Sequence, residues 1–349
     1  MHNPFLYFAH MKKIIAILFS VACLGTLSFS QGDDPKSLQA TARGYMQQGD
    51  FNNAVIVLTR ALQQDKNNLE LQKDLISAYY YKRDYVKALE GVKAVIDRSD
   101  ADIVCYQLAG NVYKALEQVK DCEKLYKAGL RKFPKSGALY SEYGELLWAK
   151  KDYSAIDIWE KGIKEDPSAA GNYYNAALFY YYTKDKVWTI VYGEIFVNME
   201  SLTERSAAMK QLLLDAYKQK LFAEPDLMKD TDKNKNNFAK AFLDCMNKQS
   251  SLASHGLTTE TLTMIRTRFI LDWFSKYADT YPFKLFDYQR QLIQEGMFNA
   301  YNQWLFGAVE NLAGYDSWNK SHNEEFGNFT AFQKTRIFKI PPGQYYQVK

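Results

Sequence analysis

The stretch Gly49-Asp50-Phe51-Asn52-Asn53-Ala54 is written again as Arg83-Asp84-Tyr85-Val86-Lys87-Ala88, and the step from Ala54 to Ala88 is 88 − 54 = 34. A second step of equal length reaches Cys122, inside Val119-Lys120-Asp121-Cys122. Lys151-Asp152-Tyr153-Ser154-Ala155 then repeats the figure one residue early, 155 − 122 = 33. Self-similarity at this period marks a chain assembled from stacked supersecondary units. Working outward from each figure, apolar residues recur at the three- and four-residue steps of a helix. The first unit has Leu38, Ala42 and Tyr45, then Ala54, Leu58 and Ala61. The second has Leu75 and Tyr79, then Ala88, Val92 and Val95. The third has Tyr106, Gly110 and Tyr113, then Cys122, Tyr126 and Gly129, closed by Pro134. The fourth reads Tyr140, Gly144 and Leu147, then Ala155, Trp159 and Gly162, closed by Pro167.

The small residues let two antiparallel helices approach closely, and the aromatics fill the space between neighbouring pairs. Pro134 and Pro167 follow the second helix, where a residue without a donor ends it. No pair buries its apolar face alone, so several must stack. On these residues the chain resembles the tetratricopeptide repeat proteins. The resemblance covers four repeats, from about Pro35 to Ser168. It implies an all-α helix-turn-helix solenoid in which the first helix of each pair lines a concave groove for a protein or peptide partner.

A fifth unit starts in register with Tyr173, Ala176, Ala177 and Tyr180. Its second helix, about Val187 to Met199, has Thr189 where a small alanine is expected and is apolar on nearly every side, so it is read as covered all round. The solenoid is therefore placed at residues 35–200, and an all-helical, aromatic-rich C-terminal domain at 201–349. There Ser201 to Glu204 reads as a capping box opening a helix to about Phe222. A short helix from Asn237 to Asn247 follows. A long one opens at Leu257 to Glu260 and runs to about Tyr281, with further helices at Phe283–Glu295 and Phe298–Ala313. A last helix runs from about Tyr315 to Phe338, and Pro341-Pro342-Gly343 is expected to end the structured chain. The stretches Val191 to Phe196, Met264 to Ile270 and Ala300 to Gly307 resemble the tails of exported bacterial tetratricopeptide proteins of unassigned role. That resemblance covers residues 187–349 and implies no activity.

Met11-Lys12-Lys13 followed by an uncharged run to Phe29 reads as a signal peptide over residues 1–30. Met11 is taken as the true start, with cleavage before Gln31. The run is shorter than the ~20 apolar residues of a membrane span. Ser20-Val21-Ala22-Cys23 is a weak lipobox, because Ser20 stands where a large aliphatic residue is wanted. The expected location is the periplasm or outside the cell, with lipidation at Cys23 the lesser alternative. Without Lys12 and Lys13, the 44 basic residues become 42 against 40 acidic ones. That balance gives no basic stripe for nucleic acid. Cys105, Cys122 and Cys245 are too sparse for a disulfide framework and read as small buried residues.

Asp230 to Asn236 has the alternating oxygens of a calcium loop, but Lys235 and Ala241 stand where such a loop needs Gly and a bidentate Glu. His255 and His322 have no second ligand at metal spacing. No phosphate loop, nucleophile elbow or HExxH is present, so no metal, cofactor or catalytic residue is expected and the chain is not read as an enzyme. The resemblance instead points to outward positions of the first helices: Lys36, Arg43, Lys73, Tyr80, Asn111, Lys114, Glu145, Trp148, Tyr174 and Tyr181. Their N-terminal part is basic and polar, and their C-terminal part is aromatic, as in surfaces whose binding energy rests on Tyr, Trp and Arg. Members that clamp a peptide carboxylate use a Lys and an Asn. Lys73 and Asn111 stand at such places but in different units, beside Ser77 and Gln107, so that clamp is incomplete. The expected function is an exported adaptor holding a protein or peptide partner. The alternatives are a ligand-binding or enzymatic module in residues 200–349, and a structural subunit of an envelope complex.

Overall fold

The computed structural model describes residues 34–183, 185–229 and 236–347. The export segment, Met11, Cys23 and residues 230–235 of the calcium-like loop lie outside the described residues. All the described secondary structure is helical. Contacts group the chain into two compact units that divide at Gln118/Val119. This division falls inside the third pair and ahead of the boundary at 200 expected from the loss of the repeat.

The N-terminal unit contains α1 (Pro35–Gln47), α2 (Phe51–Gln64), α3 (Leu69–Tyr81), α4 (Tyr85–Ile96) and α5 (Ile103–Ala115). Each helix packs on the next, and the first helices α1, α3 and α5 also touch one another. Leu38, Ala42, Ala54, Leu58, Ala61, Leu71 and Ala78 form a single buried cluster. The alanines among them are completely buried, as the repeat spacing predicts.

The starts of the first helices are fixed by side chains that accept from the backbone three residues on. Asp34, Asn68 and Asp102 do this for α1, α3 and α5, and Ser136 does it for α7 (Gly137–Ala149). These caps recur at the interval of the repeat, and each satisfies one orphan donor of the first turn. The turn out of each first helix is equally regular. Gly49, Arg83, Glu117 and Lys151 all have positive φ, at 76°, 64°, 55° and 60°. The left-handed residue needed there is glycine only once, so the repeat's geometry imposes αL on three residues that disfavour it.

The second unit opens with α6 (Val119–Lys132), α7, α8 (Ala155–Glu165), α9 (Ala170–Tyr182) and α10 (Trp188–Met199), again packed in sequence. α10 is buried on every side from Trp188 to Val197, as its composition predicts. The next helix, α11 (Glu204–Gln219), packs on α10 and touches α9. First helices thus begin at Gly137, Ala170 and Glu204, so the pitch outlasts the legible sequence figure by one helix. The cap of α11 is Thr203 with Ser206, not the expected Ser201 with Glu204. The hydroxyl of Ser206 returns the bond by accepting from the Thr203 amide.

Beyond it lie α12 (Asn237–Asn247), α13 (Ser250–Ala253), α14 (Thr259–Lys276), α15 (Lys284–Gln294), α16 (Phe298–Asn302), α17 (Ala308–Glu310), α18 (Leu312–Ser321) and α19 (Asn323–Lys334). A π-helical turn, Gln303–Gly307, joins α16 to α17. The single last helix expected from 315 to 338 is instead two, broken at His322, whose backbone leaves the helical region at φ −122°, ψ 36°. The core is aromatic. Phe238 lies 5.3 Å from Trp273, 5.2 Å from Phe283 and 5.5 Å from Trp188, and Phe269 is 5.1 Å from Phe286. Pro341-Pro342-Gly343 does not end the ordered chain: residues 344–347 lie across this unit, with Tyr346 stacked 4.9 Å from Phe238.

Candidate functional site

Many of the side chains expected to face outward from the first helices are bonded from repeat to repeat. In the N-terminal unit Lys36 is exposed. Arg43 donates from Nε to Asp74 at 2.8 Å, and Gln39 donates to the same oxygen at 2.7 Å. Lys73 is not outward as expected. It is 6% exposed, with its ammonium 2.7 Å from Asp102 and 2.5 Å from Glu70. Burial disfavours the Lys73 charge, but the two carboxylates outweigh this and raise its pKa. Burial likewise opposes ionisation of Asp102, while the Lys73 and Cys105 hydrogen bonds hold its carboxyl below the usual range. Asp102 both caps α5 and accepts from Lys73 of α3, which draws Lys73 into the inter-repeat seam.

Tyr80 is half-buried, edge-on to Tyr81 at 5.5 Å and tilted against Tyr85 at 5.8 Å. Asn111 and Lys114 are half-buried on α5.

In the second unit Glu145 is exposed and accepts from Asn175 at 3.0 Å and from Ser141 at 3.3 Å. Trp148 is half-buried, with ring centroids 5.8 Å from Tyr153, 6.2 Å from Trp159 and 5.6 Å from Phe179. Tyr174 lies 4.9 Å from Phe196, beneath the Arg205 guanidinium at 5.1 Å. Tyr181 lies 5.8 Å from Tyr182, with the Lys220 ammonium 4.8 Å from its ring centre. Tyr182 itself is 67% exposed. Arg205 is held by a two-pronged bond to Glu200 at 3.1 and 2.6 Å. Sequence reasoning missed Arg205 and Lys220. The signal that finds them is the pitch of the first-helix starts, which places α11 as the next member of the row even though its apolar pattern no longer matches.

These pairs put cations over the faces of half-exposed rings, an arrangement worth ~0.5–1 kcal/mol each at exposed sites. Such a surface offers flat apolar contact together with donors for carboxylates or backbone carbonyls. Among the described residues no group of three or more His, Cys, Asp or Glu could hold a metal ion. Nor is any described helix long and apolar enough to cross a membrane. Cys105, Cys122 and Cys245 are buried, and desolvation pushes the Cys105 thiol up to about 11 and the Cys245 thiol to about 12, which leaves both protonated.

The C-terminal helices, with α10 and α11, enclose a cavity of only about 10 Å³ beside Glu194 and Arg266. Their larger cleft, about 440 Å³, lies open at the start of α14, lined by Thr259, Glu310, Gln303 and Trp318 among others. Its Glu310 carboxylate is taken up by the Thr259 amide at 2.6 Å and hydroxyl at 2.5 Å, so it caps the first turn of α14 from a distant helix.

No protein-family model matches the chain. No curated protein matches it. Among the solved structures to which it is similar, two match over about half of it. One is MamA 41-end from Desulfovibrio magneticus RS-1, at 16% identity over 50% of this chain and 99% of that one, with a TM-score of 0.39. The other is YrrB, described as a TPR protein with an unusual peptide-binding site, at 15% identity over 52% of this chain and 94% of that one, with a TM-score of 0.36. Among the described residues all secondary structure is helical, and residues 35–199 form consecutive helix pairs, as expected of a tetratricopeptide-type solenoid, whose side-chain caps and left-handed turns recur at a regular pitch from Asp34 to Lys151.

Proposed function

We propose that this chain is an exported adaptor that holds a segment of a protein partner against the row of first helices, chiefly α9 and α11. The observation that carries the reading is the pair of ring–cation contacts, Tyr174 with Arg205 and Tyr181 with Lys220, beside the exposed Tyr182. Aromatic rings and arginine are the groups that dominate protein–protein binding energy. Export rests on the basic and apolar character of residues 12–29, and the partner would be met outside the cytoplasm.

The test is capture of partners from envelope extracts by the full chain and by the triple variant Tyr181→Ala, Tyr182→Ala, Lys220→Ala. The three residues are half-buried or exposed, so the variant should melt close to the parent while losing its specific partner about tenfold or more. Undiminished capture of every partner would overturn the reading. Separately, mass analysis of the protein isolated from its source should show a mature N-terminus at Gln31, and a chain retaining residues 11–30 would remove the export claim.

A further inference from the structure

A second cluster, on side chains other than the outward ones of the row, is shared by α8, α9 and α10. Glu160, on the second helix α8, is 5% exposed. Its two oxygens accept from Tyr180 at 2.7 Å and from Tyr192 at 2.8 Å. A third phenol, Tyr345 of the non-helical segment 344–347, lines the same cleft as this carboxyl. That segment runs over the second unit and is gripped residue by residue. Gln344 accepts from the Lys284 amide at 2.6 Å, capping α15. Tyr346 lies parallel to Phe238, donates to the Pro282 carbonyl at 2.8 Å and accepts at its own carbonyl from Asn236 at 2.7 Å. Gln347 donates to the Tyr180 hydroxyl at 2.8 Å, which relays the contact to Glu160.

Three features separate this segment from ordinary core. Residues 344–347 are all only half-buried, and Pro341, Pro342 and Gly343 before them are exposed. The segment contributes no helix, so lifting it away breaks none. A cleft of about 700 Å³ stays open beside it, lined by Asp157, Glu160, Lys161 and Lys164 of α8 together with Tyr345 and Gln347. Side-chain pockets for successive residues of an extended chain, with a buried acceptor and a stacking ring, are the elements of peptide recognition.

We propose that the cleft floored by Glu160 is a docking site for an extended, tyrosine-bearing peptide of a partner protein, and that residues 344–347 are its resident occupant in cis. A partner's segment takes the site by setting a tyrosyl hydroxyl on Glu160 and a second ring on Phe238, which displaces the resident residues. The site uses Glu160, Tyr180 and Tyr192 rather than Tyr174, Tyr181, Arg205 and Lys220, so its fate does not depend on that reading.

The experiment uses the full chain carrying Tyr345→Ala, Tyr346→Ala and Gln347→Ala, and as probe a fluorescent synthetic peptide with the sequence of residues 340–347. The probe should bind the triple variant at least tenfold more tightly than the parent, whose own segment competes. Adding Glu160→Ala to the variant should remove that gain. Equal binding to parent and variant, or binding to neither, overturns the proposal. So does loss of the cooperative melt in the triple variant, since the segment would then be part of the core. Tyr345→Phe, which deletes one hydroxyl, gives an independent reading: probe binding to this full-length variant should rise several-fold over the parent, and no rise counts against the Glu160 contact.

Discussion

Trp159 is accommodated because residue 144 has no side chain. A Cβ built on Gly144 would lie 2.2 Å from the indole nitrogen, which donates to the Ser141 carbonyl at 3.2 Å. Gly144→Ala should therefore cost about 2–3 kcal/mol, since overpacking a rigid ring leaves little room to relax; urea denaturation checks this. The repeat spacing marks Gly144 as a close-approach residue but does not say that the neighbour is an indole. Glu160 makes a separate point at the same scale. Burial raises its carboxyl from the ordinary 4.5 to about 7, against the lowering effect of the Tyr180, Tyr192 and Tyr345 phenols, with Asp185 adding to the rise. The nearby charges of α8 are Asp157, Lys161, Lys164 and Glu165. Because the folded value lies above the unfolded one, the folded state holds the extra proton. Its contribution is complete below about 4.5 and is lost as pH rises through about 7, a swing on the order of 3 kcal/mol. Glu160→Gln should flatten the fall in stability across that window relative to the parent, as read by denaturation midpoints. An unchanged slope would show that Glu160 ionises at its ordinary value.

At the scale of the element, the pairs are punctuated more regularly than they are packed. Caps at Asp34, Asn68, Asp102 and Ser136 and left-handed residues at Gly49, Arg83, Glu117 and Lys151 keep the period without a slip. The apolar figure slips by one residue at Ala155. Arg83, Glu117 and Lys151 bear the cost of αL with a Cβ in place. Replacing each by Gly should stabilise the protein by roughly 0.5–1 kcal/mol, the relief outweighing the added freedom of the unfolded chain. Gly49→Ala should destabilise it by about as much. Thermal melts of the four single variants test the sign. The helix from Asn237 to Asn247 was legible to the residue because Asn236 caps it and the apolar stripe runs to Met246. The break at His322 was not: neither Pro nor Gly stands there, and the packing of Phe326 beside Tyr315 and of Phe329 beside Tyr301 turns the chain.

For the second unit as a whole, the decisive contact is one that no local pattern reveals. Arg266 of α14 is fully buried and pairs with Glu194 of α10. Gln289 donates to that carboxylate at 2.6 Å and Tyr301 at 2.7 Å, while Asn302 accepts from the guanidinium. A helix from the repeat series is thereby tied to three helices of the aromatic body, so the chain from Val119 onward groups as one compact unit without a break at 200. Arg266→Ala strands a buried carboxylate and should cost about 3–5 kcal/mol, whereas the double variant Glu194→Leu, Arg266→Met should recover most of that loss. Chemical denaturation followed by tryptophan emission tests both. If the single variant proves as stable as the parent, the pair does not hold the unit together.

By itself the sequence determined the helix pairs, their pitch and close-approach residues such as Gly144, because each follows from periodicities confined to one repeat and its neighbour. Only the tertiary structure decided that Lys73 is consumed by Asp102, that Arg205 of α11 lies over Tyr174, and that residues 344–347 reach Tyr180 and Phe238. The separation along the chain is 29 for Lys73 and Asp102 but 167 for Gln347 and Tyr180. Partners at such separations are chosen by which faces the packed helices bring together, and no local pattern of apolar and polar residues carries that information.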